Sequence, residues 1–271
     1  MRTMHIDDDL ARELQVAHEA AAEAAAILVG RSGADQVRAK GRADLVTAVD
    51  EAAERVIERH LRSAFPDDGF VAEEFSSDAR PSGRRWVVDP LDGTVNFVHR
   101  HPFACVSIAL VDDDGPRIGV INAPFLGEVY HAVRGGGAFL NEERIRVSSV
   151  PEAGEALLAT GFPFRKGKGD ASAYFRLVAD VVLSTHGVRR AGAAAIDLAY
   201  VACGRVDGFF EIGLSPWDVA AGILLVLEAG GVVSGWPGDT EPPLETGRIL
   251  ATNGAVHRWL EETVARHVPR L

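Results

Sequence analysis

The amino-acid sequence predicts an α/β protein of the α+β type, built as two halves in which helices and strands follow different orders. An alanine-rich stretch at residues 9–29 starts with acidic residues and contains no helix breaker, which predicts a long first helix. A second apolar-periodic stretch, residues 47–65, begins like a capping box from Thr47 to Asp50. Strand-like segments with tight turns follow, and beyond Pro151 helices and strands alternate.

The first half, residues 1–150, is expected to hold a mostly antiparallel sheet covered by the two opening helices. Its strands follow one another through short turns, and this arrangement is typical of antiparallel pairing. The runs that predict strands are residues 69–72, 86–88, 103–111, 118–123, 128–133 and 145–147.

The second half, residues 151–271, is expected to hold a mixed sheet with helices between its strands. Its predicted strands are residues 156–160, 208–211, 231–233 and 249–251. Its predicted helices are residues 174–183, 196–203 and 217–229, with a last helix from residue 255. We expect the two halves to form one compact unit with the functional site between them.

Composition narrows the classes of function. A net charge of -11, spread along the chain, argues against nucleic acid as the main partner. The polar, acidic start is unlike a signal peptide, and no apolar run approaches the roughly 20 residues that span a membrane. Cys105 and Cys203 lie in apolar segments without ligand-like spacing, so we interpret both as reduced core residues of a cytoplasmic protein.

The segment WVVDPLDGT, residues 86–94, is the strongest functional signal because an apolar strand leads directly into two acids. Two carboxylates at 4 Å repel each other by about 4 kcal/mol at an effective dielectric constant near 20, so Asp89 and Asp92 favour a bound cation. Asp92 is a good N-cap for a short helix, and Gly93 lets a ligand approach the backbone. The amides of Gly93 and Thr94 can then receive a phosphate oxygen.

Oxygen ligands without nearby His or Cys select Mg²⁺, so this segment predicts magnesium together with phosphate. The alternative is a plain Asp-Gly turn after a core strand. Two further acidic places support the metal interpretation, Glu73 at a strand end and Asp218 in the first turn of a helix. Each has its own alternative, a solvated strand end for Glu73 and an interaction with the helix dipole for Asp218.

These segments together resemble the inositol monophosphatase family of magnesium-dependent, lithium-sensitive sugar and polyol phosphatases. Residues 89–94 match its DP(I/L)DGT motif, and residues 217–222 match its WD-x-A-x-G signature. Glu73 and Glu74 stand where the family has its glutamate pair, and residues 44–50 resemble its DLVT-x-x-D segment. The resemblance spans nearly the whole chain and implies a layered αβαβα sandwich that is typically a cytoplasmic homodimer.

The resemblance also implies a ligand set for two Mg²⁺ ions. The first ion would be held by Glu73, Asp89 and the Leu91 carbonyl, and the second by Asp89, Asp92 and Asp218. Thr94 is expected to position the attacking water, and Glu73 to influence its proton. Asp50 is expected to face that water or a third, weaker magnesium ion; its alternative is the capping box at the start of the second helix.

On the substrate side, the resemblance implies contacts from the phosphate-binding segment, from a small-residue segment and from one further acid. These residues are Asp92, Gly93, Thr94, Ala194 and Glu211. The chain has Ala193 where the family often has Ser or Thr, which leaves the substrate ring open. Helix packing is the alternative for the alanines, and a solvated strand end is the alternative for Glu211.

The leading expectation is hydrolysis of a small polyol or sugar phosphate, with inositol-1-monophosphate first. Fructose 1,6-bisphosphate, histidinol phosphate and 3'-phosphoadenosine nucleotides are alternative substrates within the resemblance. An alternative function of another class is that the chain acts as a regulatory partner of RNA or of the transcription machinery. No nucleic-acid or membrane partner is expected from the composition.

Overall fold

The structure is a computed structural model, and it describes residues 8–31, 37–41, 44–75, 77–78, 83–162 and 171–267. Residues 1–7, on which the prediction about export depends, lie outside these ranges. Within the described residues, no helix is both long and apolar enough to cross a membrane.

The helices are labelled in chain order. They are α1 (Asp8–Gly30), α2 (Ala48–Ala64), α3 (Thr94–Val98), α4 (Ala171–Ser184), α5 (Ala194–Ala202), α6 (Pro216–Glu228), α7 (Pro243–Thr246) and α8 (His257–Ala265). In α1, buried alanines recur every three or four residues, at Ala17, Ala20, Ala21 and Ala24, so that one apolar stripe faces the core. The two predicted opening helices are therefore confirmed.

The strands are numbered in the same way. They are β1 (Val37–Gly41), β2 (Asp44–Thr47), β3 (Gly69–Ala72), β4 (Ser77–Asp78), β5 (Arg85–Asp92), β6 (Cys105–Asp112), β7 (Gly115–Ala123), β8 (Glu128–Val133), β9 (Gly137–Leu140), β10 (Glu143–Arg144), β11 (Leu157–Thr160), β12 (Gly187–Arg189), β13 (Gly208–Ile212), β14 (Val232–Ser234) and β15 (Arg248–Thr252).

The first half holds an eight-stranded sheet in the order β10-β9-β8-β7-β6-β5-β3-β4. Its pairs are antiparallel except that β3 runs parallel to β5. The second half holds a five-stranded sheet in the order β12-β11-β13-β15-β14, with parallel pairs around β11 and antiparallel pairs around β15. Both sheet types agree with the prediction.

The helices and sheets stack in five layers. Helices α1 and α2 cover one face of the large sheet, and the apolar core between them includes Trp86 and Leu91. The other face packs on α5 and α6, which also cover the small sheet through residues such as Phe209. Helices α4 and α8 close the outer face of the small sheet around Tyr174. This is the αβαβα sandwich that the resemblance implied.

One strand prediction in the first half is wrong. The predicted strand at residues 145–147 is replaced by the hairpin of β9 and β10, which ends at Arg144. Asn141 and Glu142 have φ angles of 46° and 68°, a left-handed pair that suits a two-residue hairpin turn. Ile145 makes one further backbone hydrogen bond to Ala138, after which the chain leaves the sheet.

The predicted domain boundary, residue 151, falls between β10 and β11 and stays a prediction.

The two cysteines differ in exposure. Cys105 is buried in β6, within the core between the large sheet and the middle helices, as predicted. Cys203 follows α5, is only partly buried and packs against the same core. Both are free thiols.

Candidate active site

An irregularity in β5 brings Asp89 and Asp92 to the same face of the large sheet. Side chains three residues apart in a regular strand point to opposite faces. Here Asp89 pairs with Ser107 and Asp92 with Cys105, so three steps on β5 match two steps on β6. The extra residue behaves as a β-bulge, and from this face Asp92 contacts the start of α5 while Asp218 of α6 acts as a like charge on both Asp89 and Asp92. The strand therefore continues to Asp92, and does not end at Asp89 as the sequence predicted.

Burial and like charges destabilise the ionised forms of these two acids. Asp89 is 1% exposed, and the pKa of its carboxyl is raised well above its ordinary value, first by burial and then by the carboxylates of Glu73, Asp92 and Asp218. The pKa of Asp92 is raised to about 8 by burial and by Asp218, against the opposing effect of backbone amides. Three other carboxylates therefore repel the charge on the buried Asp89 side chain.

Asp92 caps a helix of the other half of the molecule. The amide of Ala195, in the first turn of α5, donates to Asp92 Oδ2 at 2.7 Å. The predicted role of Asp92 as N-cap of α3 is wrong, because that position is held by Gly93 without a side-chain cap. Gly93 has a φ of 88°, and a Cβ there would lie 2.7 Å from the Phe103 carbonyl oxygen, so glycine is required.

Asp218 lies in the first turn of α6, behind the N-cap Ser215. Its Oδ2 accepts the Ser215 amide at 2.6 Å, so the alternative interpretation as a helix-terminus residue is correct for one of its oxygens. The same carboxylate raises the pKa of both Asp89 and Asp92. Asp218 therefore has a capping contact and also belongs to the buried acid cluster.

Thr94 and Asp50 are in contact, as their predicted shared role requires. The Thr94 hydroxyl lies 3.2 Å from Asp50 Oδ1 and 3.1 Å from the Leu91 carbonyl oxygen, and both are acceptors for its single proton. Asp50 is buried in the first turn of α2. The side chain of Thr47, the predicted capping partner, lies outside the described residues.

Glu73 lies in the bend after β3, on a turn that α2 holds in place. Glu54, fully buried on α2, accepts the amides of Glu74 at 2.8 Å and Phe75 at 2.9 Å through its two carboxylate oxygens. The bend that carries Glu73 is thereby tied to the helix that carries Asp50. From this bend Glu73 acts as one of the like charges that raise the pKa of Asp89.

Glu211 and Ala194 approach the same region from the second half. Glu211 is partly buried on β13, and the pKa of its carboxyl is raised well above its ordinary value by burial, Asp197 and Asp218. Arg190 has the opposite effect on Glu211. Ala194 is buried at the start of α5, one residue before the amide that binds Asp92.

Sequence reasoning missed three polar residues that organise the site. Glu54 holds the Glu73 bend, and Asn96 donates to the carbonyl oxygens of Phe103 at 2.8 Å and Ala191 at 2.9 Å. Asp197 is buried in α5, and burial together with Asp92 raises its pKa. Buried polar residues need partners, so a polar residue on an otherwise apolar helical face is the signal that would have found Glu54 and Asp197.

The donors around Asp89 fit a hard divalent cation by their chemistry. They are carboxylate and carbonyl oxygens whose mutual repulsion a cation would relieve. Among the described side chains, no group of three His, Cys, Asp or Glu residues is arranged to hold a metal as it stands. One oxygen each of Asp89, Asp92 and Asp218 instead accepts a backbone amide.

Comparison with known proteins identifies the class to which this fold belongs. The family model described as the inositol monophosphatase family matches residues 9–271, and the chain belongs to that family. Members of this family are generally magnesium-dependent phosphatases of phosphorylated sugars and polyols. The chain is therefore a phosphatase of the inositol monophosphatase type.

Named relatives carry two kinds of description. The chain is 44% identical over 261 residues to an inositol-1-monophosphatase of Synechocystis sp., covering 95% of this chain and 90% of the relative. It is 47% identical over 218 residues to the Nus factor SuhB of Escherichia coli, covering 80% and 81%. Among solved structures, the inositol monophosphatase of Anabaena (Nostoc) sp. superposes with a TM-score of 0.85 at 41% identity, covering 97% and 98%.

Proposed function

We propose that this protein is a magnesium-dependent phosphomonoesterase that hydrolyses a small polyol or sugar phosphate, with inositol-1-monophosphate as the first candidate substrate. The observation that carries this proposal is the buried carboxylate of Asp89, on which Glu73, Asp92 and Asp218 act as like charges. A buried site built this way favours cations and, through them, phosphate. The family and the inositol-1-monophosphatase relatives support the substrate class.

In this proposal two magnesium ions bind around Asp89. Glu73, Asp89 and the Leu91 carbonyl would hold the first ion, and Asp89, Asp92 and Asp218 the second. When bound, magnesium supplies positive charge that activates a water and stabilises the charge that develops on the phosphate and the leaving oxygen. The capping contacts of Asp92 and Asp218 hold these two carboxylates in a fixed direction. Each contact uses one lone pair, so each side chain keeps further lone pairs for a metal ion.

Thr94 and Asp50 would orient the attacking water. Because the Thr94 hydroxyl proton is directed to Asp50 or to Leu91, the hydroxyl oxygen is left to accept a hydrogen bond from the attacking water. Glu73 would also influence that proton. A third magnesium ion at Asp50 would compete with the Thr94 contact, so we favour the water-orienting role.

Glu211 would recognise the alcohol part of the substrate. Its carboxylate accepts hydrogen bonds from sugar hydroxyls, Ala194 packs beside the ring, and the backbone at Gly93 and Thr94 approaches the phosphate. Fructose 1,6-bisphosphate, histidinol phosphate and 3'-phosphoadenosine nucleotides remain alternative substrates. They differ from inositol phosphate in the hydroxyls that face such an acid.

The deciding experiment is a phosphate-release screen over these substrates, with magnesium, after dialysis against EDTA, and after readdition of magnesium. The Asp89→Asn variant, purified identically, controls for contaminating phosphatase. We expect release from polyol phosphates that disappears in chelator and returns with magnesium. Full turnover in chelator would contradict the two-metal proposal.

A second candidate is a role with the transcription machinery, which the relatives named Nus factor SuhB favour. The net charge of -11 argues against direct contact with RNA and leaves contact with a protein open. A filter-binding titration with RNA at low salt tests the direct contact. Saturable binding retained by Asp89→Asn would support a second function that is independent of catalysis.

Two further proposals concern assembly and location, a homodimer in the cytoplasm. Both are supported by family membership. Light scattering coupled to size exclusion measures the first, with twice the chain mass of 28.9 kDa expected. Fractionation of cells tests the second, and recovery in the membrane fraction would contradict it.

A further inference from the structure

Gly161, directly after β11, lies against the carboxylate of Glu211. A Cβ built on Gly161 would lie 1.9 Å from Glu211 Oε1 and 2.0 Å from its Cδ. Glycine is the one residue that leaves this space open, so the carboxylate occupies the volume that a side chain at position 161 would fill. Gly161 itself is buried.

A buried hydrogen-bond network joins the ends of the two strands that bring these residues together. Thr160 pairs with Phe210 in the parallel register of β11 and β13. The Thr160 hydroxyl lies 2.7 Å from the Phe210 carbonyl oxygen and 2.8 Å from the Tyr174 hydroxyl. Since Gly161 and Glu211 each follow a member of that pair, their separation is set by the network and leaves little freedom for the backbone to move apart.

The conflict at Gly161 involves only a side chain, whereas at Gly119 and Gly93 the nearest atoms belong to the backbone. At Gly119 a Cβ would meet backbone atoms of Ala221 at 2.9 Å, and at Gly93 it would meet the Phe103 carbonyl oxygen. At Gly161 the three nearest atoms all belong to the carboxylate group of Glu211, the far end of a flexible side chain. The φ angle of Gly161 is also outside the left-handed region, so alanine fits its backbone. A Gly161→Ala substitution should therefore move the carboxylate while the fold is retained.

We propose that Gly161 is a positioning residue for substrate selectivity, which acts by leaving the space in which the Glu211 carboxylate is held toward the alcohol part of the substrate. This inference rests on the proposed role of Glu211. It adds that the direction of the carboxylate, and so the choice of substrate, depends on a residue that bears no functional group.

The test compares wild type, Gly161→Ala, Glu211→Ala and the double variant on two substrates with magnesium. These are inositol-1-monophosphate and p-nitrophenyl phosphate, which lacks sugar hydroxyls. Gly161→Ala should lower kcat/KM for the inositol phosphate by about 10- to 100-fold, the range for an unpaired buried hydrogen-bonding group, and leave the nitrophenyl phosphate almost unchanged. Gly154→Ala is the matched control, because a Cβ there meets nothing within 4 Å.

The double variant shows whether Gly161 acts through Glu211. With the carboxylate already removed, Gly161→Ala should cause no further loss on either substrate. A further loss that multiplies the effect of Glu211→Ala, an equal loss on both substrates, or no loss in the single variant would each overturn the inference. If Gly161→Ala folds poorly, the double variant should fold normally; continued instability would also overturn it.

The same set of proteins separates this inference from the proposed function. If Glu211→Ala is selective and Gly161→Ala has no effect, the role of Glu211 stands and the inference fails. If Glu211→Ala lowers turnover of both substrates equally, the proposed recognition role of Glu211 fails, and the inference fails with it.

Discussion

Two buried clusters of titratable side chains in this protein have opposite surroundings. Around Asp89 and Asp92, backbone amides point at the carboxylate oxygens, with Ala195 at 2.7 Å from Asp92. His131, by contrast, is packed between rings: it meets His18 edge-on at 4.9 Å between ring centroids and stacks on Phe139 at 5.0 Å. The carboxylates of the acid cluster therefore have polar partners, whereas the two histidines are packed as neutral rings.

The two clusters therefore respond to pH in opposite directions. The raised carboxyl pKa of Asp92, about 8, means that its contribution to stability is present below an ordinary value near 3.8 and is lost as pH rises through 8. Burial lowers the pKa of both His18 and His131, partly offset by Glu142. Their contribution is present above about 6.5 and is lost as pH falls through the lowered values. Charge without a partner is unfavourable in both, but only the acid cluster offers sites for a cation.

The largest expected effect comes from Asp89→Asn, which removes the charge at the centre of the acid cluster. Activity should fall by at least about 100-fold, since changes to groups that merely orient metal ligands already cost 10- to 100-fold. Metal-free stability should not fall, because Asn keeps the acceptor for the Leu91 amide and removes a repelled charge. Steady-state kinetics and urea unfolding measure the two quantities. Loss of stability with normal turnover would show that the cluster is structural.

Asp218→Asn separates metal binding from helix capping. Asn can still accept the Ser215 amide, so stability should change by no more than about 1 kcal/mol. Turnover should fall strongly, with a higher magnesium requirement, because the charge toward Asp89 and Asp92 is lost. A magnesium titration of activity is the measurement. Near-normal kinetics would leave Asp218 as a helix cap alone.

Glu54→Gln tests whether the bend that carries Glu73 needs its buried support. Gln offers one carboxamide oxygen to the two amides of Glu74 and Phe75, so the free energy of unfolding should fall by about 1 to 3 kcal/mol. The magnesium concentration for half-maximal activity should rise. Glu58→Gln, on the same helix, weakens a partly exposed ion pair with Arg62 and is the control. Equal effects of the two substitutions would contradict this role.

The smallest effect is expected for His131→Phe, which keeps the ring stack and removes one titrating group. Since His131 Nδ1 is buried without a hydrogen-bond partner, stability above the histidine range should be retained or rise. Below it, stability should fall less than in wild type, because protonation of His131 no longer favours unfolding. Urea unfolding one unit above and one unit below about pH 6.5 measures the slope. An unchanged slope in His131→Phe would refute the comparison.

Local pattern was sufficient for much of the fold. Strand β8 was predicted with its observed bounds, Glu128–Val133, and α6 within one residue at each end, because apolar periodicity and turn residues specify such elements over short stretches. The hairpin of β9 and β10 was missed because its strands are short and begin at Gly137, and glycine is typical of turns. The short strand β12 and helix α7 were missed as well.

The amino-acid sequence by itself determined the local part of the site: the acids and glycine of residues 89–94, the acid in the first turn of α6, and Thr94 at the start of its short helix. Only the tertiary structure decided which groups these residues meet. Asp92 caps a helix 103 positions away, and Glu54 holds a bend 20 positions away. Propensity acts over a few neighbouring residues, whereas such contacts depend on how the layers pack, and this packing sets the direction of each carboxylate.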